Sequence, residues 1–220
     1  MNIFKNEAGG AAKCSIGLLI IENVKNNADC NTLKVVRDEL EDTIRAKYAQ
    51  SSRNDLKAQR PMDAYIAYYK KFGYTYHVLS QLESVIKGKP IPTGLPAVEA
   101  MFMAELKNMI LTAGHDLDQI QLPISLRIST GKEGYTTMSG KSVETIPKDF
   151  MIADQNGILS SILRGPDLRT AITKHTTRVI YMVYAPPGVE EQLVYNHLGD
   201  IESYVHMTSQ ASVTRLNTVY

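Results

Sequence analysis

The hydrophobic period of this chain changes once, and that change limits the folds open to it. Val98, Met101, Phe102, Leu106, Met109 and Ile110 recur at the spacing of one helix face. From Pro123 onward the period is 2: Ile124, Leu126 and Ile128 alternate with Ser125, Arg127 and Ser129. A chain that is helical in one half and stranded in the other folds as an α/β (α+β) domain with mixed sheets and packed helices.

The remaining elements fit that frame. Ser15 to Ile21 is an apolar run of strand length, bounded by the polar cluster Asn23 to Asn31. Leu33, Val36, Leu40, Ile44 and Tyr48 predict an amphipathic helix, and Pro61 opens another that carries Met62, Tyr65, Ile66 and Tyr69 and closes at Gly73. A third helix holds Val78, Leu82, Val85 and Ile86. A turn-rich loop, Lys87 to Gly94, precedes Pro96, which opens the Val98 helix, and Gly114 is its expected left-handed cap. Tyr135–Met138, Phe150–Ala153, Ile158–Leu163 and Val179–Tyr184 are strand candidates, with Asp154-Gln155-Asn156-Gly157 as the turn between two of them. Glu190 and Glu191 begin a last helix, where the dipole favours carboxylates. The expected layout is a loose lead at 1–13, one domain at 14–206 and a C-terminal tail at 207–220.

Composition narrows the partners. Twenty-four basic against twenty-three acidic residues leave a net charge of +1 in 220 residues, without the basic excess that sustains tight non-specific binding to nucleic acid. A local basic patch stays open. Cys14 and Cys30 have no zinc-type spacing and read as reduced thiols. No apolar run approaches the ~20 residues that span a bilayer, so the expectation is a cytoplasmic protein without a membrane partner. The sequence sets no oligomeric state.

Two clusters carry the residue types of a site. His115, Asp116 and Asp118 form the first. Two potential metal ligands from one short loop are common, so the carboxylates are read as caps of the helix end and the next turn, and no metal or other cofactor is expected. The second is Arg164, Asp167, Arg169, Thr170 and Thr173. Two guanidinium groups beside hydroxyls and a carboxylate suit a phosphate or carboxylate clamp; a loop whose Asp167 and Arg169 pair with each other and with backbone is the equal alternative. His175 has no partner acid fixed by sequence and reads as a surface histidine. Tyr65, Tyr68, Tyr69, Tyr74 and Tyr76 crowd one region, and at helical spacing they read as core. Serine-nucleophile, Walker and dinucleotide motifs are absent.

Taken in order, several of these segments resemble the tRNA-editing (B-three/B-four) domain of the phenylalanyl-tRNA synthetase beta subunit, and more closely its free-standing relatives. They are the helix opened by Pro96, Asp116-Leu117-Asp118-Gln119-Ile120, Ile124-Ser125-Leu126-Arg127, Ala153 to Gly157, Arg169 to Thr177 with the apolar strand behind it, and Pro187-Gly188-Val189. The similarity covers roughly residues 75–205. It implies a pocket between Glu99–His115 and Arg164–Thr173, and hydrolysis of a wrongly charged aminoacyl-tRNA. In that picture Arg164, Arg169, Thr173, Glu99 and Asp116 hold the substrate, while Asp167, Thr170 and His115 position water. Partners would be a tRNA acceptor end or an amino-acid-like small molecule. Ala113 stands where the synthetase has a histidine, Met101-Phe102 where relatives carry an asparagine, and Leu168 near the family's glutamate. Turnover is therefore left open. The alternatives are a non-catalytic module for an amino acid or RNA end and a small-molecule ester or amide hydrolase.

Overall fold

The structure, a computed structural model, describes residues 3–9, 14–26 and 31–220. In chain order the elements are β1 (Phe4–Asn6), β2 (Ser15–Glu22), α1 (Asn31–Tyr48), α2 (Arg53–Lys57), α3 (Met62–Lys70), α4 (His77–Ile86) and α5 (Pro96–Asn108). Then come β3 (Thr112–Asp116), a single 3-10 turn (Leu117–Gln119), β4 (Ile124–Ile128), β5 (Gly134–Thr136), β6 (Ser142–Glu144), β7 (Phe150–Asp154) and β8 (Gly157–Ser161). β9 (Gly165–Pro166), β10 (Arg178–Ala185), α6 (Glu191–Thr208) and β11 (Val213–Val219) complete the chain. This is the α+β architecture expected from the period change.

Two sheets lie face to face. One is antiparallel, in the order β11-β2-β10-β3; the other, β1-β4-β7-β8-β9, contains one parallel pair, β1 with β4. β2 and β10 occupy the middle of the first sheet and are buried on both faces, which is why they read as continuous apolar runs instead of alternating. Each fully buried Leu or Ile there contributes roughly 1.5–3 kcal/mol relative to exposure. The sheets are pinned together by Tyr184 of β10, whose hydroxyl donates to the Ser160 carbonyl at 2.9 Å and accepts from the Ile152 amide at 3.2 Å. Helices cover the opposite face of the first sheet. Tyr181 donates to the Ala97 carbonyl of α5 at 2.8 Å. α6 presses so closely on β2 that a Cβ on Gly17 would sit 2.6 Å from Val194 Cγ1. No helix among the described residues is long and apolar enough to cross a membrane.

The structure departs from the sequence reading at four places. α5 ends at Asn108, and its left-handed cap is Met109 (φ 58), not Gly114. The chain turns there because Met109 N–H returns to Glu105 O and Tyr76 holds the Met109 carbonyl, so Gly114 falls inside β3, opposite Tyr181. The segment after Met207, expected as a tail, supplies β11 on the edge of β2; its half-exposed strand shows little apolar contrast. β1, inside the expected lead, pairs with β4. The polar stretch after Gln50 holds α2, opened by a Ser52/Asp55 capping box. Cys14 is a buried free thiol; Cys30 lies outside the described residues.

Candidate functional site

A cavity of about 490 Å³ opens between α5, β3 and the chain that links β8 to β9. α5 supplies one face of four side chains, Val98, Met101, Phe102 and Glu105, at the i, i+3, i+4, i+7 spacing that brings helical side chains into one line. The helix forms there because Pro96 occupies its first turn, and Ala, Met and Leu fill its interior. Leu111 to Gly114 form the second wall, and Ser161 to Pro166 the third. The walls are close at Gly114: a Cβ there would lie 3.0 Å from Ile172 and 3.2 Å from the Met101 sulfur. Met138, from the loop of the β5–β6 hairpin, leans over the opening, and Tyr69 and His77 close one end. The volume is in the range of small-molecule pockets, with room for an amino acid and the group attached to it.

The walls are mostly hydrocarbon, so the few polar groups decide what enters. Glu105 is 3% exposed, and its Oε1 accepts the Thr112 amide at 2.7 Å. Burial pushes its pKa up to about 8, against the lowering effect of the Thr112 bond. Thr112 is held from behind: its hydroxyl lies 2.6 Å from Nε2 of the buried His197, whose Nδ1 faces the Asn108 amide at 3.2 Å. Asn108 can only donate from that nitrogen, so Nδ1 accepts and Nε2 carries the proton toward Thr112. At the mouth, Arg164 donates from Nε to the Glu144 carbonyl at 3.2 Å and lies over the exposed Tyr74 ring, 5.8 Å from its centroid. No carboxylate among the described residues pairs with its guanidinium. Ser161 Oγ accepts the Arg164 amide at 3.2 Å, and Tyr135 donates to the Gly165 carbonyl at 2.7 Å, so this wall is held on both sides.

Of the eight residues singled out from sequence, Arg164 lines the cavity. Four of the others, His115, Asp167, Arg169 and Thr170, form a polar latch beside it, and Glu99, Asp116 and Thr173 are engaged elsewhere. Arg169 grips Asp154 at 3.0 Å, Asp167 at 3.4 Å and the Gln119 carbonyl at 3.0 Å. Thr170 donates its hydroxyl proton to Asp167 and accepts from His115 Nδ1 at 2.7 Å. His115 is fully buried and its Nε2 has no partner; burial, aided by the Arg169 charge, pushes its pKa down to about 3, so the ring stays neutral. With Nδ1 as the donor, Nε2 is a bare lone pair. The chain runs acid–hydroxyl–imidazole, so the imidazole is not placed between the hydroxyl and the acid as a triad requires. Asp116 caps the 3-10 turn through the Asp118 amide and accepts the Thr176 hydroxyl at 2.7 Å. Asp118 pairs with Arg178 at 2.7 Å. Thr173 accepts the His175 amide at 3.2 Å and donates its own amide to Thr176. Glu99, on another face of α5, is paired with Arg37 at 2.8 Å.

Among the cavity residues the sequence did not single out are Glu105, Thr112, Met138 and Ser161. Glu105 carried a readable signal: it stands seven positions after Val98, an acid on an otherwise apolar helical stripe. Four of the five clustered tyrosines are buried, as a core reading expects; Tyr74 is exposed at the mouth.

No family model matches the chain, and no curated protein does. Among the solved structures that match, one is an N-terminal fragment of the phenylalanyl-tRNA synthetase beta subunit from Pyrococcus horikoshii. It is 11% identical with a TM-score of 0.47, over 91% of this chain and 50% of the fragment. The chain thus spans half the length of that structure.

Proposed function

We propose that the cavity receives the aminoacyl end of a charged tRNA, or the same amino acid free, and that the chain is an aminoacyl-recognising domain of the trans-editing kind. The observation that carries this reading is the cavity itself: a largely hydrocarbon chamber of small-molecule size with one buried carboxyl on its wall and, at its mouth, one guanidinium without a carboxylate partner. Such a chamber suits a hydrophobic side chain, with the carboxyl and the guanidinium left for the α-substituents. The ordered series of motifs shared with the editing domains supports it independently. The near-neutral net charge argues that affinity comes from the acyl group more than from phosphate contacts.

Hydrolysis of the ester is the finer reading, favoured by Arg164. A guanidinium without a carboxylate partner, beside a backbone held by Ser161 and Tyr135, is suited to a carbonyl oxygen that gains charge during acyl transfer. The wall offers no nucleophile bonded to a base, so turnover would use water. Amino-acid release from a panel of correctly and wrongly charged tRNAs decides between the two, with Met101→Trp, which narrows the cavity at its α5 wall, and Arg164→Ala as controls. Release from one mischarged species by wild type alone supports hydrolysis. Saturable binding without release supports recognition alone. Binding that Met101→Trp leaves intact would place the site elsewhere.

A further inference from the structure

We propose that Glu105 reads the free amine of the ligand: the cavity takes compounds with a primary ammonium beside a hydrophobic side chain, and discriminates against counterparts in which that amine is absent or replaced by a hydroxyl. The inference rests on the reading that the cavity is the ligand site, and it names the chemical class that the site selects.

The argument comes from how this fold treats its buried carboxylates. Among the described residues, Glu41 meets Arg45, Glu99 meets Arg37, and Asp154 and Asp167 share Arg169. Asp116 and Asp149 each take two neutral donors, an amide and a hydroxyl in both cases. Glu105 alone has a single partner, and that partner is a neutral backbone amide. A carboxylate has about four acceptor positions, so most of its capacity is unused. It lines the cavity among Val98, Met101 and Leu111, none of which can donate to it. A buried carboxyl without a cation keeps its proton, and an ammonium placed on Glu105 would displace that proton in exchange for a charge-assisted bond, among the stronger contacts available. Arg164, the guanidinium on the same lining, is engaged with the Glu144 carbonyl and the Tyr74 ring and forms no ion pair with Glu105, which leaves the ligand as the source of that cation.

The geometry also fixes where the amine would sit. Thr112 is clamped between Glu105 and His197, so the carboxyl is held in one orientation before anything binds. An ammonium on its free oxygen brings the attached hydrocarbon against Met101, Gly114 and Ile172, where the wall is apolar.

Isothermal titration of the full chain with matched amides tests this. The probes are phenylalanine amide, 3-phenyllactamide and 3-phenylpropanamide, which differ only in an amine, a hydroxyl or a hydrogen, and the corresponding leucine series. The expected result is that the amine member of at least one series binds ~10- to 100-fold tighter than its two partners. Glu105→Gln, which keeps the side chain's size and its acceptor for Thr112, should bring the amine member level with the hydrogen member. Glu105→Leu is expected to do the same, so the result does not hang on one folded variant. Equal binding of the amine and hydrogen members, a hydroxyl member as tight as the amine, or a preference that survives both substitutions would overturn the inference and leave the cavity reading intact. Failure of every member of both series to bind wild type would overturn the cavity reading itself.

Discussion

Replacing Glu105 with Gln should change how stability depends on pH, in a direction fixed by the burial of its carboxyl. An ordinary glutamate titrates at 4.5, and in the folded chain Glu105 titrates at about 8, because the desolvated wall penalises the charge. The folded state therefore holds a proton that the unfolded chain releases. A raised carboxyl pKa leaves stability at its full value below 4.5 and removes it as pH rises toward 8. At 1.36 kcal/mol per pKa unit, the loss between pH 5 and pH 8 is on the order of 3 kcal/mol. Gln cannot ionise and keeps the acceptor for Thr112, so the variant should lack this loss. Denaturant titrations of both proteins at pH 5, 6, 7 and 8 measure it, since the difference between the two curves cancels every other titrating group. Asp149, which burial also raises, to about 6, contributes equally to both. Glu105→Gln should gain on wild type steadily as pH rises, and be the more stable protein at pH 8. A difference that stays flat within about 1 kcal/mol across the range would refute the reasoning. It would mean that Glu105 is as well solvated in the fold as in the open chain.

Two further outcomes follow from packing and pairing. Arg169→Ala strips the partner from Asp154 and Asp167 and should cost about 2–3 kcal/mol, less than for a fully buried pair because Arg169 is one-third exposed; chemical denaturation checks the loss, and ligand affinity at the cavity should fall far less than with Arg164→Ala. Gly17→Ala places a Cβ against Val194 and should cost about 1–3 kcal/mol, because α6 must shift to make room; a melting temperature equal to wild type would show that the helix yields freely.

The sequence displays elements whose burial is one-sided or complete, and hides those whose polar groups are satisfied at a distance. β2 and β10 are legible because the middle strands of a covered sheet are apolar throughout. β3 is not. Thr112, His115 and Asp116 read as loop, yet all three are buried, since their partners His197, Thr170 and Thr176 arrive from 55 to 85 residues further along the chain. β11 is hidden for a different reason: an edge strand with one solvated face has little apolar contrast. At the site, the grouping of Arg164 with Asp167, Arg169 and Thr170 was legible as a cluster. Its division was not. Residues 164–166 line the cavity, whereas Asp167 and Thr170 are buried beside it, because Asp154 captures Arg169 and His115 captures Thr170, and neither contact has a local signature.

That division explains why so many charged and polar groups stand beside the cavity without lining it. A loop that crosses the end of a helix must be held by more than backbone, because a connection of this kind buries few apolar side chains of its own. Here Arg169 fastens the loop to the β7–β8 turn, Thr170 fastens it to β3 through His115, and the bridge between Thr137 and Asp167 fastens the β5–β6 hairpin to it. Each tie converges on Asp167 or its neighbours, so the hairpin, the loop and β3 are fastened to one another. The wall that carries Arg164 therefore keeps its distance from α5, and the wall that carries Glu105 keeps its orientation through Thr112. A binding site whose two charged groups come from opposite walls needs that rigidity, since the spacing between them sets which ligands can satisfy both. The cost is one unpartnered imidazole nitrogen in the core, tolerated because His115 stays neutral and its other nitrogen completes the latch.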